Sequence, residues 1–307
     1  MRYDKKKDAW KGFCDAVMQK ILLVDGSNLL FQMFFGMPAR IINEQGKAIQ
    51  GTLGFVGALL KIIRRISPTH VAVLFDGESH NPRVDLDADY KSNREDYSQV
   101  AEEENPFSQL PDIYDALDFL GICHAETEDC ETDDWMAGYV KKYTAMGADA
   151  VFATKIPEIV ISSFDSDFFQ LISDKVTVFR YRGENSVLCD RAYLQDKFGI
   201  IPERYADFKS LTGDTADNIK GADKVGPKTA AQLVNDFGSL EEILARAEVI
   251  KKPSVRESVK QNAERLRKNY RLIKLTGVEN LPFALNEMRW EDSGITTNEV
   301  LKGIGLK

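Results

Sequence analysis

Histidine is scarce in this chain: three in 307 residues, His70, His80 and His124, each standing alone. Imidazole is therefore a poor candidate for general base or metal ligand. The four cysteines, Cys14, Cys123, Cys130 and Cys189, form no C-x-x-C pair and no zinc spacing, and read as reduced thiols in a reducing compartment. No apolar run approaches the roughly 18 residues that span a bilayer. The N-terminal stretch MRYDKKKDAWKGFCDAVMQK has neither the apolar core nor the cleavage site of a signal peptide, so a cytoplasmic protein is expected. Positive excess is missing too. Lys and Arg number 40 against 48 Asp and Glu, a formal net charge of −8, which on its face argues against a nucleic-acid partner.

What the chain does have is carboxylates at the ends of apolar runs. Asp25 closes KILLVD and Asp76 closes THVAVLFD; Glu131, Asp133 and Asp134 stand in CETDDW; Asp165 and Asp167 in SSFDSD; Asp214 and Asp217 in LTGDTADN. These are strand ends and helix starts, where an α/β sheet presents its ligand crevice. Nine like charges in one crevice would raise one another's pKa values and keep several protonated. Divalent cations relieve that repulsion, and an all-oxygen donor set without a His or Cys cluster points to Mg²⁺, with Mn²⁺ as substitute. The nine account for more negative charge than the whole net excess, so distribution matters more than the sum. Basic residues gather at 61–65, 90–94 and 251–274.

KILLVD, a helical pattern over 51–66 and THVAVLFD make a β-α-β unit and predict a parallel sheet. Residues 84–108 are charged and poor in large aliphatics, a long segment without its own core and hence a functional loop or mobile helical segment. A helix over 109–120, the strand ICHAE, a helix opening at CETDDW, the strand EIVISS, a helix at DFFQLIS and the strand VTVFR follow, with a hairpin turn at 183–185. Beyond about residue 190 helical patterns dominate up to an ambiguous C-terminal tail. The expected organisation is an extension (1–19), an α/β domain (20–189) and a helical domain (190–307).

Each motif has an ordinary alternative. SFDSDFF places two carboxylates on one face if extended, but a capping Asp with a solvated neighbour is the commoner reading of an isolated D-x-D. Glu131 and Asp133–Asp134 converge only if a helix begins there with Glu131 still outside it, and acidic first turns also arise simply to complement the helix dipole. Asp214 and Asp217 are spaced for one helical turn. After them, Gly221 and the run Val225-Gly226-Pro227-Lys228-Thr229 read as a hairpin between helices, whose backbone N–H groups and helix N-terminus suit a phosphate; a ligand-free helical corner is the alternative. In YKSNR, a helix would put Tyr90 and Arg94 on one face with Lys91 beside them and Arg83 two turns upstream. There the aromatic could stack a base while the cations hold phosphates; a solvated charged helix is the plain alternative.

In this order the motifs resemble the 5′-nuclease superfamily of flap endonucleases and the 5′–3′ exonuclease domain of bacterial DNA polymerase I, over about residues 20–275. LLVDGSNLLF looks like the opening strand and turn, and LFDGESHNPRVDLDADYKSNR like the second strand and the basic base of a helical arch. ETDD stands for Glu-Ala-Asp-Asp, and SFDSDFFQL for Gly-Asp-x-Asp. LTGDTADNIKGADKVGPKTA resembles Gly-Asp-x-x-Asp-Asn-Ile followed by the helix-hairpin-helix. The resemblance implies an α/β fold with a mainly parallel sheet, an arch at about 83–108 and a C-terminal helix-hairpin-helix domain. It implies metal bound directly or through water by all nine carboxylates, and Lys91 and Arg94 at the scissile phosphate. At the hairpin it implies duplex backbone, held at Gly221, Gly226, Lys228 and Thr229, with K⁺ in many relatives. Three positions depart from it. Gln32 stands for a usual Arg, Phe164 for a usual Gly, and 95–108 is longer and more acidic.

The function implied is a divalent-metal-dependent, structure-specific 5′ nuclease cutting DNA at flaps, nicks, branched or RNA-primed duplexes. It would be monomeric and freestanding, since no polymerase segment follows. A non-catalytic relative that recognises branched DNA is the rival, favoured by lost acidic ligands, and none is lost. A phosphatase with an aspartyl nucleophile would want Asp-x-Asp after the first strand, where this chain has Asp25-Gly26-Ser27.

Overall fold

The computed structural model describes residues 19–37, 39–77, 81–145 and 156–307. The expected N-terminal extension, with its Lys5–Lys7 run and Cys14, and the isolated His80 lie outside these but for residue 19. In chain order, β1 (Lys20–Asp25) leads directly into α1 (Gly26–Gly36), then α2 (Gln50–Ile66), β2 (His70–Phe75), the short α3 (Pro82–Leu86), α4 (Leu110–Leu120), β3 (Cys123–Glu126) and α5 (Thr132–Ala145). Next come β4 (Glu158–Ser162), β5 (Val176–Arg180) and β6 (Val187–Cys189). These strands form one sheet in the order β3-β2-β1-β4-β5-β6, parallel except for β6, which returns antiparallel through the turn expected at 183–185.

β1 and β2 are near-continuous apolar runs because helices cover both faces of the sheet. Alternation of side chains sorts the strands into two cores. Ile21, Leu23, Ala72, Leu74, Ile159 and Ile161 face Met136 and Tyr139 of α5. Leu22, Val24, Val71, Val73 and Val160 face Leu30 of α1, Phe55 and Leu59 of α2 and Ile113 of α4.

The second half is helical: α6 (Arg191–Phe198), α7 (Tyr205–Thr212), the two-residue strands β7 (Gly213–Asp214) and β8 (Ile219–Lys220), then α8 (Pro227–Phe237), α9 (Leu240–Ala245), α10 (Pro253–Gln261), α11 (Ala263–Ile273) and α12 (Thr297–Gly303). Its core is continuous with the α5 side of the sheet through Phe168, Phe169, Tyr205 and Phe208.

Two regions differ from the sequence reading. Residues 83–94 form no continuous helix. Only α3 is helical, and turns run from 88 to 93. Asp, Asn and Ser in this stretch compete for backbone hydrogen bonds, and Lys91 takes a left-handed φ of 56° while its N–H donates to the Asp217 carbonyl at 3.0 Å. The chain beyond α11 returns to the α/β half. The Val71 N–H donates to the Met288 carbonyl at 2.8 Å, the Trp290 N–H to Thr69 at 2.9 Å, and Val300 of α12 packs with Val56, Leu60 and Ala116. Among the described residues no helix is long and apolar enough to cross a membrane.

Candidate metal and phosphate site

Three carboxylates stand side by side at the C-terminal ends of β2, β1 and β4, where the chain's crossovers diverge. Asp25 is the last residue of β1 and caps α1. It accepts from the Asn28 N–H at 3.0 Å and from the Ser163 hydroxyl at 2.7 Å. Asp76 follows β2, accepts from the Thr132 N–H at 2.9 Å, and donates its own N–H to Ser27 Oγ at 2.9 Å. Asp165 follows β4, its N–H bonded to Ser163 Oγ at 3.0 Å. Burial, with Asp76 and Asp165 adding repulsion, pushes the Asp25 carboxyl up to about 7. No cationic side chain forms an ion pair with any of the three among the described residues.

A second group gathers at the start of α5. The helix begins at Thr132 and Glu131 stays outside it, the geometry that convergence required. All three carboxylates meet the Arg83 guanidinium, which bonds Glu131, Asp134 (2.9 and 3.0 Å) and Asp133 (3.3 Å). Lys91 also pairs with Glu131, and the Tyr90 hydroxyl donates to it at 3.1 Å. Burial pushes Glu131 up, but Lys91 and Arg83 outweigh it and hold the carboxyl below its ordinary range. Burial wins at Asp133, which is raised well above the ordinary range despite Arg83.

The third group is Asp167, Asp214 and Asp217, whose carboxylate oxygens lie within 4.8 Å of one another. They do not use the one-turn helical spacing expected for 214 and 217. Gly213, at φ 78°, ends α7, Asp214 closes β7 opposite Ile219 of β8, and Asp217 stands in the turn that joins the two strands. Nor is Asp165-x-Asp167 extended. The Asp167 N–H bonds back to the Asp165 carboxylate at 2.8 Å, and Asp167 opens a 3₁₀ turn, so the two carboxylates serve different groups. Lys209 of α7, almost fully buried, pairs with Asp167 and with Asp214 (2.5 Å). Burial and the neighbouring carboxylates hold Asp167 up at about 7 even so. Arg94 pairs with Asp217 at 2.9 Å, with half of its side chain in solvent.

Asp25, Asp76, Asp165, Glu131 and Asp133 line a cavity of ≈ 1080 Å³, with Lys91 and Arg94 on its wall and Phe31, Tyr97 and Phe107 forming an aromatic side. Phe31 contacts both others edge-on, at 5.6 and 5.3 Å between ring centroids. Two expected DNA contacts are corrected here. Tyr90 is only 6% exposed, packed among Ala206, Ile219, Leu272 and Ile273, and offers no face for a base. Arg83 is 8% exposed and saturated by carboxylates and the Leu272 carbonyl, which leaves no donor fork for a phosphate.

At the helical hairpin, Gly226 precedes α8 with no side-chain cap, and Gly226, Lys228 and the loop residues Asp223 and Lys224 are exposed, Thr229 half-buried. Ala222 and Val225 anchor the loop in the core. Gly221 has a different reason to be glycine: a Cβ there would collide with the Thr212 backbone, whereas Gly226 faces open space.

Sequence reading missed Lys209. Its signal was a lysine between Phe208 and Leu211 in YADFKSLT, five residues before Asp214. It also missed Asn81, whose amide donates to Glu131 at 2.7 Å, and Ser163, which no pattern marks.

The model of the 5′–3′ exonuclease N-terminal resolvase-like domain matches residues 20–199, and that of the 5′–3′ exonuclease C-terminal SAM fold matches residues 200–295. DNA polymerase I of Rhizobium leguminosarum is 33% identical over 262 residues, 83% of this chain and 24% of that protein. The thermostable polymerase of Thermus aquaticus is 31% identical over 260 residues, 83% of the chain and 28% of that protein. The chain thus spans about a quarter of the length of these relatives. The 5′–3′ exonuclease of Aquifex aeolicus is 30% identical over 259 residues, covering 84% of this chain and 82% of that one. Among solved structures, T5 5′-exonuclease with zinc bound superposes with a TM-score of 0.66 at 24% identity, covering 84% of this chain and 90% of that one. The catalytic core of Rad2 with DNA substrate gives 0.54 at 14%, covering 94% of each. Those likenesses speak to the fold. From the two matched family models and the Aquifex relative, the chain belongs to the 5′–3′ exonuclease family.

Proposed function

We propose that this protein is a divalent-metal-dependent, structure-specific 5′ nuclease that hydrolyses DNA phosphodiesters near single-strand/double-strand junctions, as a 5′–3′ exonuclease, a flap endonuclease or both. The observation that carries this is the row of carboxylates on β2, β1 and β4, without an ion pair among the described residues and facing a cavity with Lys91 and Arg94 on its wall. The donor set fits hard divalent cations: it is all oxygen, and burial drives Asp25 and Asp167 up to about 7, a cost that bound positive charge removes. Family membership supports the reading. So do the metal in the T5 structure and the DNA in the Rad2 structure.

Bound Mg²⁺, or Mn²⁺ in its place, would supply activation of the attacking water and neutralisation of charge on the leaving oxygen. Asp25, Asp76 and Asp165 would hold one position and Asp167, Asp214 and Asp217 another, with Glu131, Asp133 and Asp134 acting directly or through water. Lys91 and Arg94 would turn from Glu131 and Asp217 to the scissile phosphate and stabilise charge developing there. Residues 20 to about 190 would form the catalytic unit. The helical unit that follows would carry duplex backbone on the loop from Gly221 to Thr229, with K⁺ held by loop oxygens. We take the protein to act as a monomer.

The test is cleavage of a 5′-labelled flap duplex with Mg²⁺, with EDTA, and with Mg²⁺ plus Asp167→Asn. Junction-proximal products that need both the metal and Asp167 support the reading. Tight flap binding without products under any divalent metal sinks it and leaves a recognition protein.

A further inference from the structure

Along the C-terminal edge of the sheet the sign of charge reverses. β2, β1 and β4 end in Asp76, Asp25 and Asp165, while β5, the next strand over, ends in Arg180, and the turn to β6 carries Arg182. Neighbouring strands lie about 4.8 Å apart, so the two charges meet within a few strand widths. Between them stands Phe164, immediately before Asp165. Its N–H is fixed by the Asn28 side chain at 3.0 Å.

The arginines and aromatic rings alternate from the core outward. Arg180 lies 4.7 Å from the centre of the buried Phe169 ring and 5.7 Å from that of Phe164, and it donates to the Phe164 carbonyl at 2.6 Å. Arg182 lies 5.3 Å from the other member of the stack, the Phe164 ring. Helix α1 locks the base of the hairpin, with the Gln32 amide donating to the Tyr181 carbonyl at 2.6 Å. Arg182 is exposed and among the described residues makes no ion pair, not even with Glu184 on its own turn, and the buried Arg180 Nε has no hydrogen-bond partner among them. A guanidinium attracted to the face of a ring is biased toward one position, so a later contact there costs less entropy.

We propose that Arg182, oriented by Phe164, is a DNA-phosphate contact on the β5 side of the site, opposite in sheet order to the carboxylates of β2 and β1, and that it sets where along the strand cleavage falls. This rests on the nuclease reading above. An acid-lined crevice repels DNA, and a guanidinium over the ring of Phe164, the residue before Asp165, with no ion pair among the described residues, supplies an anchor that needs no existing ion pair broken, whereas Lys91 and Arg94 must first leave Glu131 and Asp217. The aromatic ring is a positioning residue for it.

The experiment is fluorescence anisotropy of a labelled 5′-flap duplex in EDTA across a salt series, for wild type, Arg182→Ala, Arg182→Lys, Phe164→Gly and the double variant Phe164→Gly/Arg182→Ala, with product lengths mapped in Mg²⁺. Arg182→Ala is expected to weaken binding roughly fivefold near 0.1 M salt and to lower the slope of log Kd against log salt by about 0.7–0.9, the share of one phosphate. Arg182→Lys should keep the slope. Phe164→Gly should weaken binding by less than Arg182→Ala and blur the cut position, and the double variant should be no weaker than Arg182→Ala alone. Arg182 is exposed, so its loss is not a folding defect; thermal melts check Phe164→Gly. An unchanged slope in Arg182→Ala overturns the proposal while leaving the nuclease intact. A wild type that neither binds nor cuts flap DNA overturns the underlying reading instead.

Discussion

The three groups of carboxylates are held by the same fold under opposite electrostatic regimes. Glu131, Asp133 and Asp134 share Arg83 and Lys91, and Asp167, Asp214 and Asp217 share Lys209 and Arg94. Among the described residues Asp25, Asp76 and Asp165 form no ion pair, although the Lys209 charge is felt at Asp165. Each compensated group sets three carboxylates against two cations, and removing one charge from it takes an ion-pair partner from the remainder. The uncompensated row is the place where outside positive charge is in greatest demand. The Lys209 ammonium also offsets part of the charge of the Asp167 and Asp214 group before any metal arrives, so the two proposed metal positions should differ in affinity, the row on β2, β1 and β4 gaining more.

Neutralising one member of each kind separates the two regimes most sharply. Asp25→Asn keeps a side-chain oxygen for capping α1, yet should cut DNA at least about a thousandfold more slowly, roughly 4 kcal/mol of barrier. The same variant should be more stable than wild type in EDTA. A carboxyl whose folded pKa lies near 7, above the ordinary 3.8, costs the folded state stability as pH rises through that window. At pH 8 the relief is on the order of 4 kcal/mol. Thermal melts at pH 8 check this, and a lower Tm for Asp25→Asn would contradict the contrast. Glu131→Gln should move the other way, losing about 3 kcal/mol, because Lys91 is deprived of the carboxylate it pairs with in a buried site. Urea unfolding in EDTA measures it.

Lys209→Met tests whether the ammonium substitutes for metal charge. It should cost about 3 kcal/mol in EDTA and distinctly less with 10 mM-scale Mg²⁺. Equal losses with and without Mg²⁺ would make Lys209 a purely structural ion pair. Gly138→Ala probes the placement of the acidic helix itself. A Cβ at Gly138 would collide with the Val278 carbonyl and Leu281 on the returning C-terminal segment, whose Val278 N–H bonds the Asp134 carbonyl at 3.3 Å. The expected cost is about 1–3 kcal/mol of stability, with metal affinity at the acidic helix reduced alongside. The smallest effect is Tyr90→Phe, which removes one hydrogen bond to Glu131 and should cost about 1–2 kcal/mol. If flap binding fell more than stability, Tyr90 would touch DNA after all.

Much of the site was legible because its carboxylates sit at strand ends and helix starts that leave local marks. KILLVD and THVAVLFD are strands because apolar runs of that length fit a sheet covered on both faces, and the acidic residue that closes each run falls at the crevice. The start of α5 was readable from the one arrangement that lets Glu131 join Asp133 and Asp134. For the basic segment the sequence allows either a loop or a helix, and bonds from Lys91 N–H to Asp217 and from the Asn218 side chain to the Asp89 carbonyl draw it into turns. Phe164 and Gln32 stood out as departures, but nothing local linked them to the β5–β6 hairpin.

By itself, then, the sequence determined the chemistry on offer: oxygen donors, few imidazoles, local cations and an α/β order of elements, all properties of composition and of periods two and 3.6. Tertiary structure alone decided which charges meet. Arg83 reaches carboxylates some 50 residues away, and Lys209 reaches Asp167 across 42. Arg182 is left facing solvent. Electrostatic interaction depends on distance through space and on burial, and neither quantity is written in the spacing of residues along a chain.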